Sequence, residues 1–521
     1  MTGSAQERLI RGLLSPGAYP HPVGEIRHIE THISHVLLTG DLVYKLKKPV
    51  DLGFVDYTTL ARRRHFCEEE LRLNRRLAPA LYLEVVPITG TPERPRVGGE
   101  GEAIDYAVRM RAFRQEDQWD RVLERGELTA AHVEALADTL AAFHGGVRVA
   151  VPGEGLGGPE QVAAALRANF ALTRRFVPGL IPEAPYRHLE AWTEAQLARL
   201  SPVIAGRLQG GFVRECHGDV HLQNVAFLGG DLLVFDCIEF NDTFRFVDVM
   251  AEVAFTQMDL DSRGRPDLGW RFINRYLERS GDYAGLALLP LYLSYRAYVR
   301  AKVAALSPDA DKNRIRALVA LAMGYGQMRG GGIVLMHGVT GCGKSTVSAD
   351  LLARLGAVRL RSDVERKRLA GVGRAASAAA PERGIYNPAM TQATYGALLD
   401  GAETAVNAGF TAILDATYLN PAHRNAAKAL AGRLGVPLII VSCQASVPEL
   451  ERRIRARAAE GRDVSDGTLA VLRKQLHHTP LDPWEAAHTV VVDTETADPS
   501  VLAARVAERL AGGGAGRPAG R

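Results

Sequence analysis

Cys216-His217-Gly218-Asp219-Val220-His221-Leu222-Gln223-Asn224 is the stretch on which the reading of this chain turns. It has the form H-x-D-x-x-x-x-N. Twelve residues beyond Asn224, Asp236 closes the apolar run Leu232-Leu233-Val234-Phe235, which puts a second carboxylate at a strand end. Asp219 is suited to align a hydroxyl and take its proton. Asn224 and Asp236 offer the oxygen ligands that magnesium prefers. His217 and His221 stand four apart, as zinc ligands can, but no glutamate follows the first as H-E-x-x-H requires. One base, one amide and one carboxylate suffice to set magnesium and ATP against an alcohol.

Working back from this stretch, residues 1–27 read as an irregular lead-in with a short helix. Val36-Leu37-Leu38 and Leu42-Val43-Tyr44-Lys45-Leu46 flank the turn signal Thr39-Gly40-Asp41 and read as a hairpin. Alternation puts Val43, Lys45 and Lys47 on one face. Lysines there either point into a cleft or stud a solvated edge. A helix carrying Glu68-Glu69-Glu70 follows, with Glu70 the preferred lysine partner and Glu69 close behind. Strands are expected at Leu83–Ile88 and Ala103–Arg111, joined by a Gly/Pro-rich turn over Gly90–Gly101. Beyond Asp236 come Glu239, Arg245 and Asp248, then long helices to about residue 325. There Tyr292, Tyr295 and Tyr298 read as a packed helix face rather than a sugar platform.

The pattern changes after Gln327–Gly332, a short glycine hinge. Strands Ile333–His337, Ala357–Arg361, Phe410–Asp415, Leu438–Cys443 and Thr489–Val492 alternate with helices, which implies a parallel sheet wrapped by helices. Gly338-Val339-Thr340-Gly341-Cys342-Gly343-Lys344-Ser345 matches G-x-x-x-x-G-K-S between a strand and a helix. Gly338, Gly341 and Gly343 let the backbone curl so that N–H groups, with those of Cys342 and Thr346, face phosphate oxygens. Lys344 reaches the β- and γ-phosphates, and Ser345 ligates magnesium. Asp415, at a strand end, is either a further magnesium carboxylate or an acceptor ligand. Cys342, ringed by amides beside Lys344, is expected to have a lowered thiol pKa.

Ordinary composition frames these motifs. The 521 residues are 47% hydrophobic and 23% charged, with a formal net charge of +4. That length calls for two to four domains at roughly 100–200 residues each. The small charge argues against a polyanion partner, although a nucleic-acid end remains an option for the C-terminal half. Five scattered cysteines without a C-x-x-C fit a reducing cytoplasm and no disulfide framework. No apolar run approaches the roughly 20 residues of a membrane helix, so no membrane partner is expected. Gly371–Gly384 reads as mobile and Gly512–Arg521 as a disordered tail.

His217-Gly218-Asp219-Val220-His221-Leu222-Gln223-Asn224, followed by Asp236 and Asp248, resembles the aminoglycoside phosphotransferase and choline-kinase-like group, over roughly residues 30–320. The resemblance implies a two-lobed kinase fold with Asp219 as catalytic base, Asn224 and Asp236 as magnesium ligands, and Lys45 as the phosphate lysine, with Lys47 the other choice. Glu30-Thr31-His32-Ile33-Ser34-His35 departs from that pattern by holding no glycine where a Gly-rich loop would lie. Ser362-Asp363-Val364-Glu365-Arg366, after the second C-terminal strand, resembles the S-D-x-x-R of polynucleotide-kinase, zeta-toxin and gluconate-kinase-like P-loop families. Carried over, Asp363 is the base for an acceptor hydroxyl and Arg366 an acceptor or phosphate contact; alternatively Asp363 is a helix N-cap. Arg453 and Arg457, four apart on one helix face before Glu460-Gly461-Arg462, resemble lid arginines, the alternative being a solvated basic face.

The expected architecture is therefore an α+β two-lobed protein-kinase-like domain (1–326), a linker (327–332), an α/β P-loop NTPase domain with a parallel sheet (333–511) and a tail (512–521). The expected activity is tandem phosphotransfer, using ATP or GTP and magnesium, onto hydroxyls of small molecules such as sugars, amino sugars or nucleotides. Two other readings stay open. The C-terminal half could be a polynucleotide 5′-hydroxyl kinase, or one half could be a nucleotide-sensing regulatory module.

Overall fold

The structure is a computed structural model and describes residues 3–53, 55–327, 331–371, 387–460 and 468–512. The centre of the expected linker, nearly all of the stretch expected to be mobile, the Gly461-Arg462 turn and the expected tail beyond residue 512 lie outside the described residues. The chain folds as two compact units. One comprises residues 1–132, 139–175 and 193–259, the other 133–138, 176–192 and 260–521.

In the first unit, six strands form an antiparallel sheet: β1 (Arg27–Glu30), β2 (Ser34–Leu38), β3 (Leu42–Lys47), β4 (Tyr82–Thr91), β5 (Arg94–Val97) and β6 (Asp105–Arg111), in the order β1-β2-β3-β6-β4-β5. Thr39-Gly40-Asp41 turns the β2–β3 hairpin, in the register Val36 to Lys45. Period-two alternation divides β3 between two cores. Tyr44 and Leu46 join Leu9, Ile10 and Leu13 of helix Gly3–Leu13. Val43 joins Cys67 of helix Leu60–Asn74, and also Ala226, Leu233 and Phe235. The last three belong to the segment that carries the H-x-D-x-x-x-x-N motif. It runs through the short strand β7 (Val213–Glu215), a 3₁₀ turn Leu222–Asn224, and the ribbon β8 (Val225–Leu228) and β9 (Asp231–Val234). β10 (Phe246–Asp248) pairs with β7.

Strands β1 and β5 were not expected. β1 falls at the end of the presumed lead-in, and β5 falls within the presumed turn over Gly90–Gly101. Both are sheet edges. An edge strand can be polar and carry a proline such as Pro95, so neither leaves an alternating apolar signature.

The second unit holds a five-stranded, all-parallel sheet: β11 (Ile333–His337), β12 (Val358–Arg361), β13 (Ala412–Asp415), β14 (Leu438–Gln444) and β15 (Thr489–Asp493), in the order β12-β13-β11-β14-β15. All five residues of β11 are buried, as helices on both faces of a parallel sheet require. Lys344–Leu355 and the unanticipated Pro499–Gly512 are two of the covering helices. The helical stretch 260–326 packs within this unit. In it Tyr292 and Tyr298 are buried and Tyr295 is half-buried, as a packed helix face requires.

Candidate active sites

The first site is built on a loop whose backbone is tied down from three sides. Gly218 has φ +89°, and a Cβ there would lie 2.8 Å from the Phe244 carbonyl oxygen, so the turn needs glycine. His217 donates from Nε2 to the Phe235 carbonyl (2.9 Å), while its Nδ1 faces the Asp219 N–H at 3.4 Å. Burial keeps its imidazole pKa below the ordinary value, which suits a neutral ring with one donor and one acceptor nitrogen. Asn224 donates through Nδ2 to the Asp219 carbonyl (3.0 Å) and to Asp219 Oδ2 (3.2 Å). His221 Nε2 lies 3.3 Å from the same Oδ2. The proposed base is thus aimed by an amide and an imidazole.

Helix Val249–Ser262 supplies the anchor, which sequence reasoning missed. Buried Glu252 accepts the N–H groups of His217 (3.1 Å) and Gly218 (2.5 Å), and its Oε1 lies 3.0 Å from His144 Nε2. Burial raises the Glu252 pKa, but the His144 and backbone partners outweigh it and hold it at about 2. Thr256 donates to the Val220 carbonyl (2.8 Å), and Asp259 accepts the Leu222 N–H (2.9 Å). Residues 252, 256 and 259 follow the i, i+4, i+7 spacing of one helix face. That spacing was the available signal, and it becomes legible only once the loop is known to lie beneath.

The lysines separate cleanly. Lys45 Nζ is 2.8 Å from Glu70 Oε1 and 2.5 Å from Asp236 Oδ1. Burial lowers its pKa, but Asp236 and Glu70 more than compensate and raise it. Lys47 is fully buried between Glu70 (2.5 Å) and Glu239, which also accepts from the Tyr57 hydroxyl (2.7 Å). Glu70 is pulled below the usual carboxylate range by both ammonium groups, against its burial. Glu69 turns instead to Arg72 at 2.8 Å. Asp236 adopts φ +62°, a region costly for a residue with a Cβ, and its side chain is 48% exposed. Asp248, by contrast, is buried and paired through both oxygens with Arg207. Asn224 and Asp236 each offer a hard oxygen of the kind magnesium prefers. The turn between β1 and β2 is closed by Thr31, whose hydroxyl accepts the Ser34 N–H (2.9 Å).

The second site is a cavity of about 420 Å³ at the C-terminal ends of the parallel strands, where open α/β sheets bind ligands. Gly341, Gly343, Lys344, Ser345 and Thr346 line one wall; Asp363, Arg366, Tyr395, Asp415 and Thr417 line others; Arg453 and Arg457 lie across it. Gly338 has φ +135°, and a Cβ there would meet the Cys443 carbonyl oxygen at 2.5 Å. Lys344 donates to the carbonyls of Gly338 (3.0 Å) and Val339 (2.8 Å). Cys342 is buried beneath the loop. The Cys443 thiol donates to it and Lys344 Nζ lies 3.6 Å away, which together bring its pKa down to about 6 despite burial.

Asp415 is buried and accepts from Ser348 Oγ (2.9 Å), with Arg361 Nε 3.8 Å away. Ser345 and Asp415 line one cavity as oxygen donors, a set that fits magnesium. Asp363 lies in the first turn of helix Ser362–Leu369, where the N-cap position is held by Arg361, so Asp363 is not the cap. Arg366 is one turn further on the same helix and donates to Thr391 Oγ1 (3.3 Å). Arg453 holds Glu449 (2.6 Å) and Thr494 (2.8 Å), and Arg457 reaches the Thr340 hydroxyl at 3.4 Å. Gln475, which the sequence did not single out, accepts the Thr340 N–H (2.7 Å). Beside the first turn of Lys344–Leu355, a pocket of about 210 Å³ is walled by Val347, Leu351, Ala497, Pro499 and Leu502.

Comparison with known proteins agrees with two kinase-type halves. Residues 58–289 match the phosphotransferase enzyme family, and residues 333–481 match an AAA domain. The uncharacterized protein Rv2004c of Mycobacterium tuberculosis is 30% identical over 479 residues, covering 90% of this chain and 93% of its own length. The chain belongs to this mycobacterial protein's family. Within the family it is a fusion of an aminoglycoside-phosphotransferase-like domain with a P-loop kinase-type domain. Among solved structures, a choline/ethanolamine kinase family protein from Mesorhizobium loti is 12% identical, covering 62% of this chain and 94% of its own, with a TM-score of 0.38. A gluconokinase from Sinorhizobium meliloti is 19% identical, covering 35% of this chain and 93% of its own, with a TM-score of 0.25. Among the described residues no helix is long and apolar enough to cross a membrane.

Proposed function

We propose that this protein is a tandem phosphotransferase in which each half moves the terminal phosphoryl group of ATP, with magnesium, onto a hydroxyl of a small molecule. The observation that supports the reading is that each half brings together an ammonium group, side-chain oxygens of the kind magnesium prefers and a carboxylate suited to act as a base. Lys45, Asn224, Asp236 and Asp219 do so in one half. Lys344, Ser345, Asp415 and Asp363 line one cavity in the other. Phosphoryl transfer is mostly positioning and charge neutralisation, and these residue types supply both.

In the first half Asp219 takes the acceptor proton, Asn224 and Asp236 would hold the metal, and Lys45 neutralises phosphate charge. In the second, the loop N–H groups and Lys344 cradle the phosphates, Ser345 and Asp415 would hold the metal, and Asp363 is the base. Arg366 contacts the acceptor or the phosphate, and Arg453 and Arg457 close over the transferring phosphate. Magnesium, when bound, offsets charge on the β- and γ-phosphates. The test is to follow ATP consumption and phosphorylated product over a metabolite panel with Asp219→Ala and Lys344→Ala. Two product classes, each lost in one variant, support the reading. Unaltered consumption in both variants rejects it.

One observation favours a regulatory role for the first half. Asp236 is paired with Lys45 at 2.5 Å, and the β1–β2 turn Thr31-His32-Ile33 contains no glycine. A half that binds nucleotide without transfer predicts that Asp219→Ala leaves every product intact while nucleotide binding at that half still alters the rate of the other.

A further inference from the structure

Residues 266–287 fall inside the phosphotransferase-family match, so sequence assigns them to the first domain. In the fold they pack within the second unit. They form helix Pro266–Ser280 and the 3₁₀ turn Tyr283–Ala287, and they touch the P-loop centre by two polar routes.

The first route reaches the metal side. β12 is a sheet edge, and Asn274 completes it as another strand would. Its Oδ1 accepts the Arg359 N–H (2.6 Å), and its Nδ2 donates to the Ala357 carbonyl (2.9 Å). Buried Glu278 then pairs with Arg359 Nη2 at 2.8 Å. Nη1 of the same guanidinium donates to the Ser345 carbonyl and to Ser348 Oγ, both at 3.3 Å. Ser348 in turn donates to Asp415 at 2.9 Å. Three bonds therefore link Glu278 to the Asp415 carboxylate, and a branch ends on the backbone of Ser345.

The second route reaches the acceptor side. Glu365, buried between Asp363 and Arg366 in the sequence, accepts from the Tyr283 hydroxyl at 3.1 Å and from Arg368. Arg368 also donates to the Glu278 carbonyl (2.7 Å). Helix Ser362–Leu369 has only eight residues, so it cannot hold its own direction against solvent. Asp363 and Arg366 point into the cavity from a helix whose far side is fixed by Tyr283 and Glu278.

We propose that Glu278 and Tyr283 are positioning residues of the P-loop centre: Glu278, through Arg359, sets the Ser345–Asp415 metal side, and Tyr283, through Glu365, sets the Asp363–Arg366 acceptor side. The helix that the family match gives to the first domain is thereby a working part of the second. This rests on the kinase reading above. A misplacement of about 1 Å at a reacting group costs roughly a hundredfold in rate, so a bond at the back of a two-turn helix is enough to matter.

The test uses the full-length chain, MgATP as probe and the ATP turnover that Lys344→Ala abolishes. Tyr283→Phe is expected to lower that turnover about tenfold, with MgATP affinity unchanged within about twofold and Tm unchanged within about 3 °C. Glu278→Gln is expected to raise the magnesium concentration for half-maximal turnover about fivefold, with partial recovery in Glu278→Asp and none in Glu278→Ala. Both variants matching an active parent in turnover and magnesium dependence would overturn the proposal alone. So would losses that only track the unfolded fraction. A parent with no Lys344-dependent turnover overturns the kinase reading and this proposal with it.

Discussion

Lys45 Nζ and Asp236 Oδ1 are 2.5 Å apart, although 191 residues separate them in sequence. The pair joins the sheet of the first unit to the strand end after its catalytic loop. It brings together the lysine and the carboxylate proposed for the phosphate and the magnesium, and it separates Lys45 from its neighbour two residues on.

Lys45→Met and Lys47→Met should therefore fail in different ways. Lys45 is partly exposed and paired with the half-exposed Asp236, so its loss should cut first-half turnover about a hundredfold with little change in folding. Lys47 is fully enclosed by Glu70 and Glu239, so its loss strands two buried carboxylates and should cost about 3–5 kcal/mol of stability. Urea melts beside single-turnover rates distinguish the two. Equal stability losses would reject the assignment.

Glu252 ties first-unit stability to acid. Its folded pKa is about 2 against an ordinary value of 4.5, so the folded state prefers the carboxylate. The stabilisation is full above pH 4.5 and is lost as pH falls towards 2, amounting to about 3 kcal/mol. Glu252→Gln should be less stable than the parent at pH 7 and should lose less on acidification to pH 3. A parallel pH dependence for the two proteins would sink this assignment.

Cys342 should alkylate as a thiolate with a midpoint below that of an ordinary cysteine, while Cys443, raised by its bond to Cys342 and by burial, stays unreactive. Removing the donor in Cys443→Ala should move the midpoint upward. MgATP should protect Cys342, because the loop closes on phosphate directly above it. Mass spectrometry of iodoacetamide adducts reads both effects, and equal rates with and without MgATP would discard the idea.

Gly338→Ala should abolish nucleotide binding at the second site without unfolding the unit. The new methyl would need φ near +135° and would sit 2.5 Å from the Cys443 carbonyl oxygen, so the loop must move. Calorimetry with MgATP should show at least a tenfold loss of affinity. Affinity at the parental value would mean that the loop can shift and still bind.

By itself the sequence determined which chemistry-bearing residues stand together on each short segment. Asp219 and Asn224 are five apart on one turn, and Gly338–Ser345 lie on one loop, so the spacing of covalent neighbours fixes what they can hold. The strand–helix alternation after residue 333 was legible for the same local reason, because the central strands β11, β13 and β14 are short, almost wholly buried apolar runs. Tertiary structure alone decided which lysine is left partly exposed and which is fully buried. Lys45 and Lys47 share one face of β3, and only the approach of Asp236 and Glu239 from a distant segment tells them apart. It also decided that Glu252 carries the His217–Asn224 loop and that Glu278 reaches Arg359 of edge strand β12. Those roles are buried charges meeting partners at long separation, and a buried charge is defined by what surrounds it, which one-dimensional spacing does not contain.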